Sequence, residues 1–410
     1  MELTDQLYAM NAQWEDIQFD YPFKRHYFKP LLDSIGKKMI VVLIGPRRVG
    51  KTVLMKQLIQ HFIDSGFEKR RILYFGFDDF KGEPYDIVNC WREQLALNLR
   101  ESEYLIFFDE IQKIENWAQK IKIIYDSFPN ISLILSGSSS AELRRGQESL
   151  AGREIRFNID PLSFAEYLEI KKLEPISNEL AWNYYITYMF RQLPALAISD
   201  LDPQAYVKEI VDKTIEHDIR SLFHVEDAET IRTIFRMICK SPGQIMRIED
   251  ISSEFGINRN TAAKYFRALE ETLLIRKLYN YSKNPRKSEK RAKKYYPYYT
   301  TLHQYTQPYV PELSGLAETE TAFQTKAEYF WNERNHEIDF ITGNNLDIGV
   351  EVKMRKKIND SDLYWLLNAS IPISTRIVVV PHGSSVRLSN NLNTIELHKI
   401  VNLHPIGTFL

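Results

Sequence analysis

Two groups of residues carry chemistry by type and spacing. The first is GPRRVGKT, Gly45 to Thr52, which fits G-x-x-x-x-G-K-[ST]. In that pattern the glycines let successive backbone N–H groups converge on phosphate oxygens, at the positive end of the helix that follows. Gly45, Pro46, Arg47, Arg48, Val49, Gly50, Lys51, Thr52 and Val53 would cradle a polyphosphate. Lys51 would reach its β and γ groups, and the Thr52 hydroxyl would be offered to Mg2+. Downstream, YLIFFDE ends in Asp109, suited to hold Mg2+ through water, and Glu110, suited to polarise an attacking water. LILSGSSS brings Ser136 and Ser138 to another strand end, where a hydroxyl would sense the terminal phosphate. Arg153 in LAGREI would stabilise developing charge, in cis or from a neighbouring subunit, and the second case requires self-association. The second group lies in EIDFITGNNLDIGVEVK, residues 337 to 353. Glu351 and Lys353 are two apart on one strand and so share a face, with Asp339 ending the strand before. Such a trio can set a divalent metal against a phosphodiester.

These residues need elements to position them. MIVVLIG, RRILYFGFDD, YLIFFDE and ISLILSGSS read as continuously apolar strands, with helical patterns such as IENWAQKIKIIYDSF between them. That alternation predicts a parallel sheet covered on both faces. From about Pro161 to Cys239 the pattern is mostly helical. RIEDISSEFGINRNTAAKYFRALEETLLIRKL then has the layout of a helix-turn-helix: a helix from Ile248 to Phe255, a glycine turn, and a second helix capped by Asn258. Ile251, Phe255, Ile257, Ala262, Phe266 and Leu269 fit its buried face, which leaves Arg259, Asn260, Lys264 and Arg267 outward for DNA. SKNPRKSEKRAKK follows, with seven Lys/Arg against one Glu, as a linker or an aid to DNA affinity. Mixed strands and helices from about Tyr295 predict a last α/β domain.

The bulk numbers set limits. A chain of 410 residues is too long for one core, and 44% hydrophobic with 26% charged residues is the balance of a globular protein. With 53 Lys+Arg against 54 Asp+Glu the net charge is −1, so anion binding must come from local patches. Two cysteines without paired spacing, Cys90 and Cys239, support neither a disulfide framework nor a zinc site. No apolar run reaches membrane-span length, and the N-terminal stretch lacks the order of a secretion signal, so a soluble cytoplasmic protein without a membrane partner is expected.

VVLIGPRRVGKT, FFDEIQKIENW, LILSGSSSAEL, LAGREIRFNIDPLSFAEYL and the late EIDF…GVEVK, in that order between Phe23 and Lys353, resemble a family of prokaryotic AAA-like ATPases, often called archaeal-type ATPases. The resemblance implies an α/β fold class with four parts. These are a P-loop parallel-sheet ATPase domain over 1–160, a helical lid over 161–240, a winged helix-turn-helix over 241–285, and a C-terminal restriction-endonuclease-like domain of PD-(D/E)XK type over 286–410. In sites of that type Asp339 and Glu351 would ligate metal and Lys353 would position water, with a third acid, Glu318 or Glu320, from a preceding helix. The function so implied is a Mg2+-dependent ATPase coupling nucleotide state to a DNA-directed module. Its alternative is an ATP-driven switch acting on a protein partner, with a catalytically inactive tail.

Overall fold

The computed structural model describes residues 2–78, 82–138, 150–334, 336–386 and 392–403. They divide into two compact units, Met1–Glu166 and Tyr167–Leu410. In the first, the apolar runs form strands β1 (Ile40–Ile44), β2 (Ile72–Gly76), β3 (Tyr104–Asp109) and β4 (Ile131–Gly137), joined by β5 (Glu154–Asn158). The sheet is wholly parallel, in the order β2-β3-β4-β1-β5. One face packs through Val42, Phe75 and Phe108 against Ile87, Trp91 and Ile121 of the helices Pro84–Gln94 and Trp117–Ser127. The helix Lys51–Asp64 buries Leu54, Met55, Leu58 and Ile59. Strands buried on both faces need no polar side, hence the unbroken apolar sequence of β1 and β3. Because every strand runs the same way, all carboxyl ends lie along one edge, where such sheets bind ligands.

The second unit begins with helices, among them Asn178–Met189, Pro203–Lys213 and Ala228–Lys240. Its strands are β6 (Ile245–Met246), β7 (Ile275–Asn280), β8 (Lys293–Pro297), β9 (Tyr329–Glu333), β10 (His336–Thr342), β11 (Ile348–Val352), β12 (Lys357–Ile358), β13 (Thr375–Val380), β14 (Ser385–Val386) and β15 (Asn393–Glu396). Eight of them make one sheet, β15-β13-β11-β10-β9-β7-β8-β6, while β12 and β14 pair separately. Between β6 and β7 stand the helices Ile248–Glu254 and Arg259–Glu271, and Asn258 caps the second by accepting from the Thr261 N–H at 2.8 Å. Ile251, Ala262, Phe266 and Leu269 are buried, Phe255 and Ile257 half-buried, and Arg259, Asn260, Lys264 and Arg267 exposed.

The sequence boundary drawn at 285/286 falls inside a continuous sheet. Tyr279 and Asn280 of β7 pair in parallel with Tyr329 and Phe330 of β9. The Asn280 amide also donates to Asn332 O at 2.9 Å and accepts from the Asn332 N–H at 3.2 Å.

The helix Leu313–Gln324 settles which of two glutamates faces which surroundings. Residues two apart on a helix point about 200° apart. Glu320 turns into the helical layer, fully buried, and accepts from Tyr185 Oη (3.0 Å), Gln192 Nε2 (2.9 Å), Thr300 Oγ1 (2.5 Å) and Gln324 Nε2 (2.7 Å). Glu320→Ala strands these donors, at about 1–3 kcal/mol for each one left without a partner. Urea unfolding of the variant is expected to show at least about 3 kcal/mol of lost stability, and Glu320→Gln much less. An alanine variant as stable as the parent would refute this network. Among the described residues, no helix is long and apolar enough to cross a membrane.

Candidate functional site

The strand registers assemble the first site. Phe108 of β3 aligns with Leu135 of β4, and Leu43 of β1 with Ser136, so Asp109, Ser136 and the loop after β1 meet at the carboxyl edge. Gly45 is there because nothing larger fits: a Cβ would lie 2.1 Å from Ile159 O, which follows β5. Gly50, at φ 98°, turns the chain into the helix beginning at Lys51. The Lys51 ammonium is buried and donates to Gly45 O at 2.9 Å and Pro46 O at 3.0 Å. Thr52 Oγ1 donates to Asp109 Oδ2 at 2.5 Å. That hydroxyl–carboxylate pair is the donor set an Mg2+ beside a bound triphosphate would need, so the residues fit the ion.

Asp109 is only 4% exposed and is held from three sides. Besides Thr52, Tyr74 Oη donates to its Oδ2 at 2.9 Å, and Ser136 Oγ donates to Oδ1. Ser136, expected as a phosphate sensor, is fully enclosed. Its hydroxyl also accepts from the Glu110 N–H at 3.2 Å, so it positions the two acids instead. Ser138 stands by Gln112, whose amide donates to it at 3.1 Å and also to Glu110 Oε2. Residues 139–143, the end of LILSGSSSAEL, lie outside the described residues. Burial alone would raise the Glu110 pKa, but the charge of Lys51, the Gln112 amide and the charge of Arg47 together bring it below its ordinary value. Asp78, beyond β2, is raised by half-burial and by the charge of Glu110. Arg48 is exposed at φ 65°, Arg47 and Val53 are half-buried, and Val49 is buried.

Arg153 does not belong to this edge. Its carbonyl accepts from the Ile40 N–H at 2.7 Å, at the start of β1, whereas the loop leaves the end of that strand. Five residues of strand span about 16 Å, so the side chain, 3.9 Å from Asp126, is no finger in cis. Arg25, which sequence reasoning missed, does belong. Buried, it donates to Val49 O (2.9 Å), Asp160 O (2.8 Å), Pro161 O (3.1 Å) and both carboxylate oxygens of Glu166 (3.0 and 2.8 Å). It therefore ties the loop to the backbone after β5.

In the second unit Asp339, Glu351 and Lys353 are brought together. Lys353 Nζ donates to Glu351 Oε1 at 2.6 Å, the Asp339 N–H faces Glu351 Oε2 at 3.4 Å, and Asp339 Oδ2 accepts from the Val352 N–H at 2.9 Å. Glu318 is the helix acid on this side, accepting from Tyr296 Oη at 3.0 Å. Burial first, and then the charge of Asp339, push the carboxyls of Glu318 and Glu351 upward. Lys294, at the end of the basic run, is buried here, bonded to Glu337 and 3.8 Å from Asp339.

Of the expected metal set of Asp339, Glu351 and Glu318, the charge of Asp339 reaches both glutamates. Among the described residues, no three His, Cys, Asp or Glu side chains group as a metal ion requires. One oxygen each of Glu351, Asp339 and Glu318 accepts from Lys353, Val352 and Tyr296, and Asp339 and Glu351 are buried while Glu318 is half-buried. A Cβ on Gly243 would meet Tyr296 Oη at 2.5 Å and Glu318 Oε2 at 2.8 Å, so this turn presses directly on the cluster.

Comparison with known proteins agrees with the first site. Residues 37–168 match a model of the AAA domain, and residues 184–305 match a domain of unknown function. The first unit thus contains an AAA-like P-loop ATPase domain. An uncharacterized protein of Methanocaldococcus jannaschii is 27% identical over 309 residues, covering 67% of this chain and 64% of its own. One of Haemophilus influenzae is 26% identical over 269 residues, covering 63% and 66%. The match therefore spans just under two thirds of either relative's length. Among solved structures, the Walker-type ATPase of Pyrococcus abyssi overlays with a TM-score of 0.39 at 14% identity, covering 71% of this chain and 96% of that one. AMPPCP-bound DnaA from Aquifex aeolicus overlays with a TM-score of 0.32 at 16% identity, covering 64% and 92%. Overlays this loose bear no functional weight.

Proposed function

We propose that the protein binds and hydrolyses ATP with Mg2+ in its first unit and that its second unit directs the output to DNA. The observation that supports turnover is the meeting of Lys51, Thr52, Asp109 and Glu110 at one sheet edge. Mg2+ held by Thr52 and Asp109 would neutralise charge on the β and γ phosphates. Lys51 and the loop amides hold the polyphosphate, and the Glu110 carboxylate orients water for in-line attack. Purified protein is expected to take up ATP and ADP saturably with magnesium and to release phosphate. No saturable uptake would remove the reading.

The DNA part rests on the two helices between β6 and β7, the second capped by Asn258, read as a winged helix-turn-helix, with the exposed Arg259, Asn260, Lys264 and Arg267. It predicts duplex binding that weakens steeply with salt. A negligible shift in gel mobility at low salt would sink it. The β9–β11 region is read as a nuclease-like fold that does not cut, because Glu318, Asp339 and Glu351 already accept from Tyr296, the Val352 N–H and Lys353, with Asp339 and Glu351 buried. Plasmid incubated with Mg2+ or Mn2+ should stay intact, and cleavage that disappears in Asp339→Ala would overturn this reading.

One observation favours a switch acting on a protein instead: Arg259 pairs with Glu249 at 2.9 Å and Arg267 with Glu271 at 2.8 Å. Slow turnover, retained ADP and no DNA affinity would mark that case.

A further inference from the structure

The run Lys283 to Lys294 is not a linker. It leaves β7, forms the helix Pro285–Lys290 and returns as β8, the antiparallel neighbour of β7. Its fixings are internal. Asn284 caps the helix, its side chain accepting from the Arg286 N–H at 3.0 Å, and Ser288 is buried against the sheet side. Arg291 Nη1 donates to Asn280 Oδ1 at 3.2 Å and to Tyr281 O at 3.1 Å. Lys293 donates to Arg291 O at 2.9 Å, and Lys294 is buried at the carboxylate cluster. Three of the seven cations are thus consumed in holding the excursion in place.

The other four, Lys283, Arg286, Lys287 and Lys290, are exposed and follow the spacing i, i+3, i+4, i+7. On the helix Pro285–Lys290 the spacing of Arg286, Lys287 and Lys290 gathers them on one side, away from the buried Ser288, and Lys283 stands exposed just before the cap Asn284. Among the described residues none of the four has an acid within ion-pairing distance, and Glu289 is the one acid in the run. On the helix Arg259–Glu271 the cations are spent: Arg259 on Glu249, Arg267 on Glu271, and Lys264 on His224 O at 3.1 Å. Two of these three cations already carry a carboxylate partner, whereas Arg286, Lys287 and Lys290 stand on a frame fixed to the sheet without one among the described residues.

We infer that Lys283, Arg286, Lys287 and Lys290 form the docking face for the phosphate backbone of duplex DNA, and that this face, not the helix Arg259–Glu271, supplies most of the electrostatic attraction. This rests on the DNA-directed reading above and assigns it a surface. Backbone recognition of this kind carries affinity without sequence preference.

The test uses the full chain and a fluorescent duplex in a salt titration. The slope of log K against log salt scales as about 0.9 for each phosphate that the protein neutralises. The fourfold variant Lys283→Ala, Arg286→Ala, Lys287→Ala, Lys290→Ala should flatten the slope by about 3 to 4 and weaken binding at least tenfold near physiological salt. A variant with the three lysines replaced by arginine should bind like the parent. The variant Arg259→Ala, Lys264→Ala, Arg267→Ala should change the slope by less than about 1. A circular-dichroism spectrum and a melting temperature matching the parent's in each variant report an intact fold. If the first variant keeps the parental slope while the Arg259, Lys264 and Arg267 variant flattens it, the assignment of this face is overturned and the DNA reading stands. If the parent ignores duplex, the DNA reading itself falls. If it then binds phosphatidylserine vesicles through the four cations, the face is a membrane-binding one and the inference is wrong.

Discussion

Replacing Lys51 with alanine is expected to abolish measurable ATP turnover, a loss of at least about 10²–10³-fold, the scale seen when one preorganised charge-stabilising donor is removed. The ammonium is enclosed by the loop, on the carbonyls of Gly45 and Pro46, so its charge is fixed before any nucleotide arrives. Alanine removes that charge and leaves two carbonyls without their donor. Lys51→Arg should fail nearly as badly, because a planar guanidinium cannot occupy an enclosure shaped for a compact ammonium. Thr52→Ala and Asp109→Asn break the pair closed at 2.5 Å and should lose turnover as well, with rescue sought by raising magnesium. Phosphate release from purified protein decides the matter, and turnover in Lys51→Ala equal to the parent's would dismiss the site.

The next largest effect is expected from Arg25→Ala. Its guanidinium and Glu166 form a buried pair at 2.8 Å, with three backbone carbonyls bonded to the same group. Removing one partner of a buried pair typically costs about 3–5 kcal/mol, and here Glu166 keeps His26 and Ser163 while three backbone carbonyls lose their donor. For a unit of this size the melting temperature should fall by roughly 10 °C. Glu166→Gln, which keeps the shape, should cost less. The loop carbonyl of Val49 is released too, so ATP affinity at permissive temperature should fall with the stability.

The same pair fixes an acid limit. Burial would raise the Glu166 carboxyl, but hydrogen bonds from His26 and Arg25 and the charge of Arg25 hold it well below the ordinary 4.5. A carboxyl depressed by folding contributes stability that is complete above about pH 4.5 and erodes as the pH falls below it. Thermal melts from pH 7 downward check this. If Arg25→Ala melts like the parent at neutral pH, or if Glu166→Gln leaves the acid limb unmoved, the pair does not hold the loop.

How much of this was legible in the sequence depended on how local the cause was. The loop Gly45 to Thr52 and the strand ending in Asp109 announce themselves, since a glycine loop after a continuously apolar strand has few other uses. β5 was not read, because EIRFN alternates at a sheet margin and carries no apolar run. Without β5 there was no way to see that Arg153 precedes a strand parallel to β1 and so sits at the far end of the sheet. Arg25 stands twenty residues before the loop in no motif. A lone arginine among the aromatics of FKRHYF was the available signal. Glu318 and Glu320 were equivalent on paper, and only packing separates one that meets Tyr296 from one enclosed by Tyr185, Gln192 and Thr300. Lys294 lay hidden within a run that reads as uniformly solvated. Proximity of Asp339, Glu351 and Lys353 could be anticipated, whereas the engagement of their oxygens depends on neighbours distant in the chain.

The seam between β7 and β9 bears on how this polypeptide can be shortened. A hinge needs a place where few backbone bonds cross, and here a ladder and two asparagine amide bonds cross instead. Severing the chain near residue 285 would strip β9 of its neighbour and bare a flat row of unpaired amides and carbonyls, an invitation to stick to other chains. Halves expressed apart should therefore be insoluble, yet recover when made together. Everything from β6 to β15 should survive truncation only as one piece.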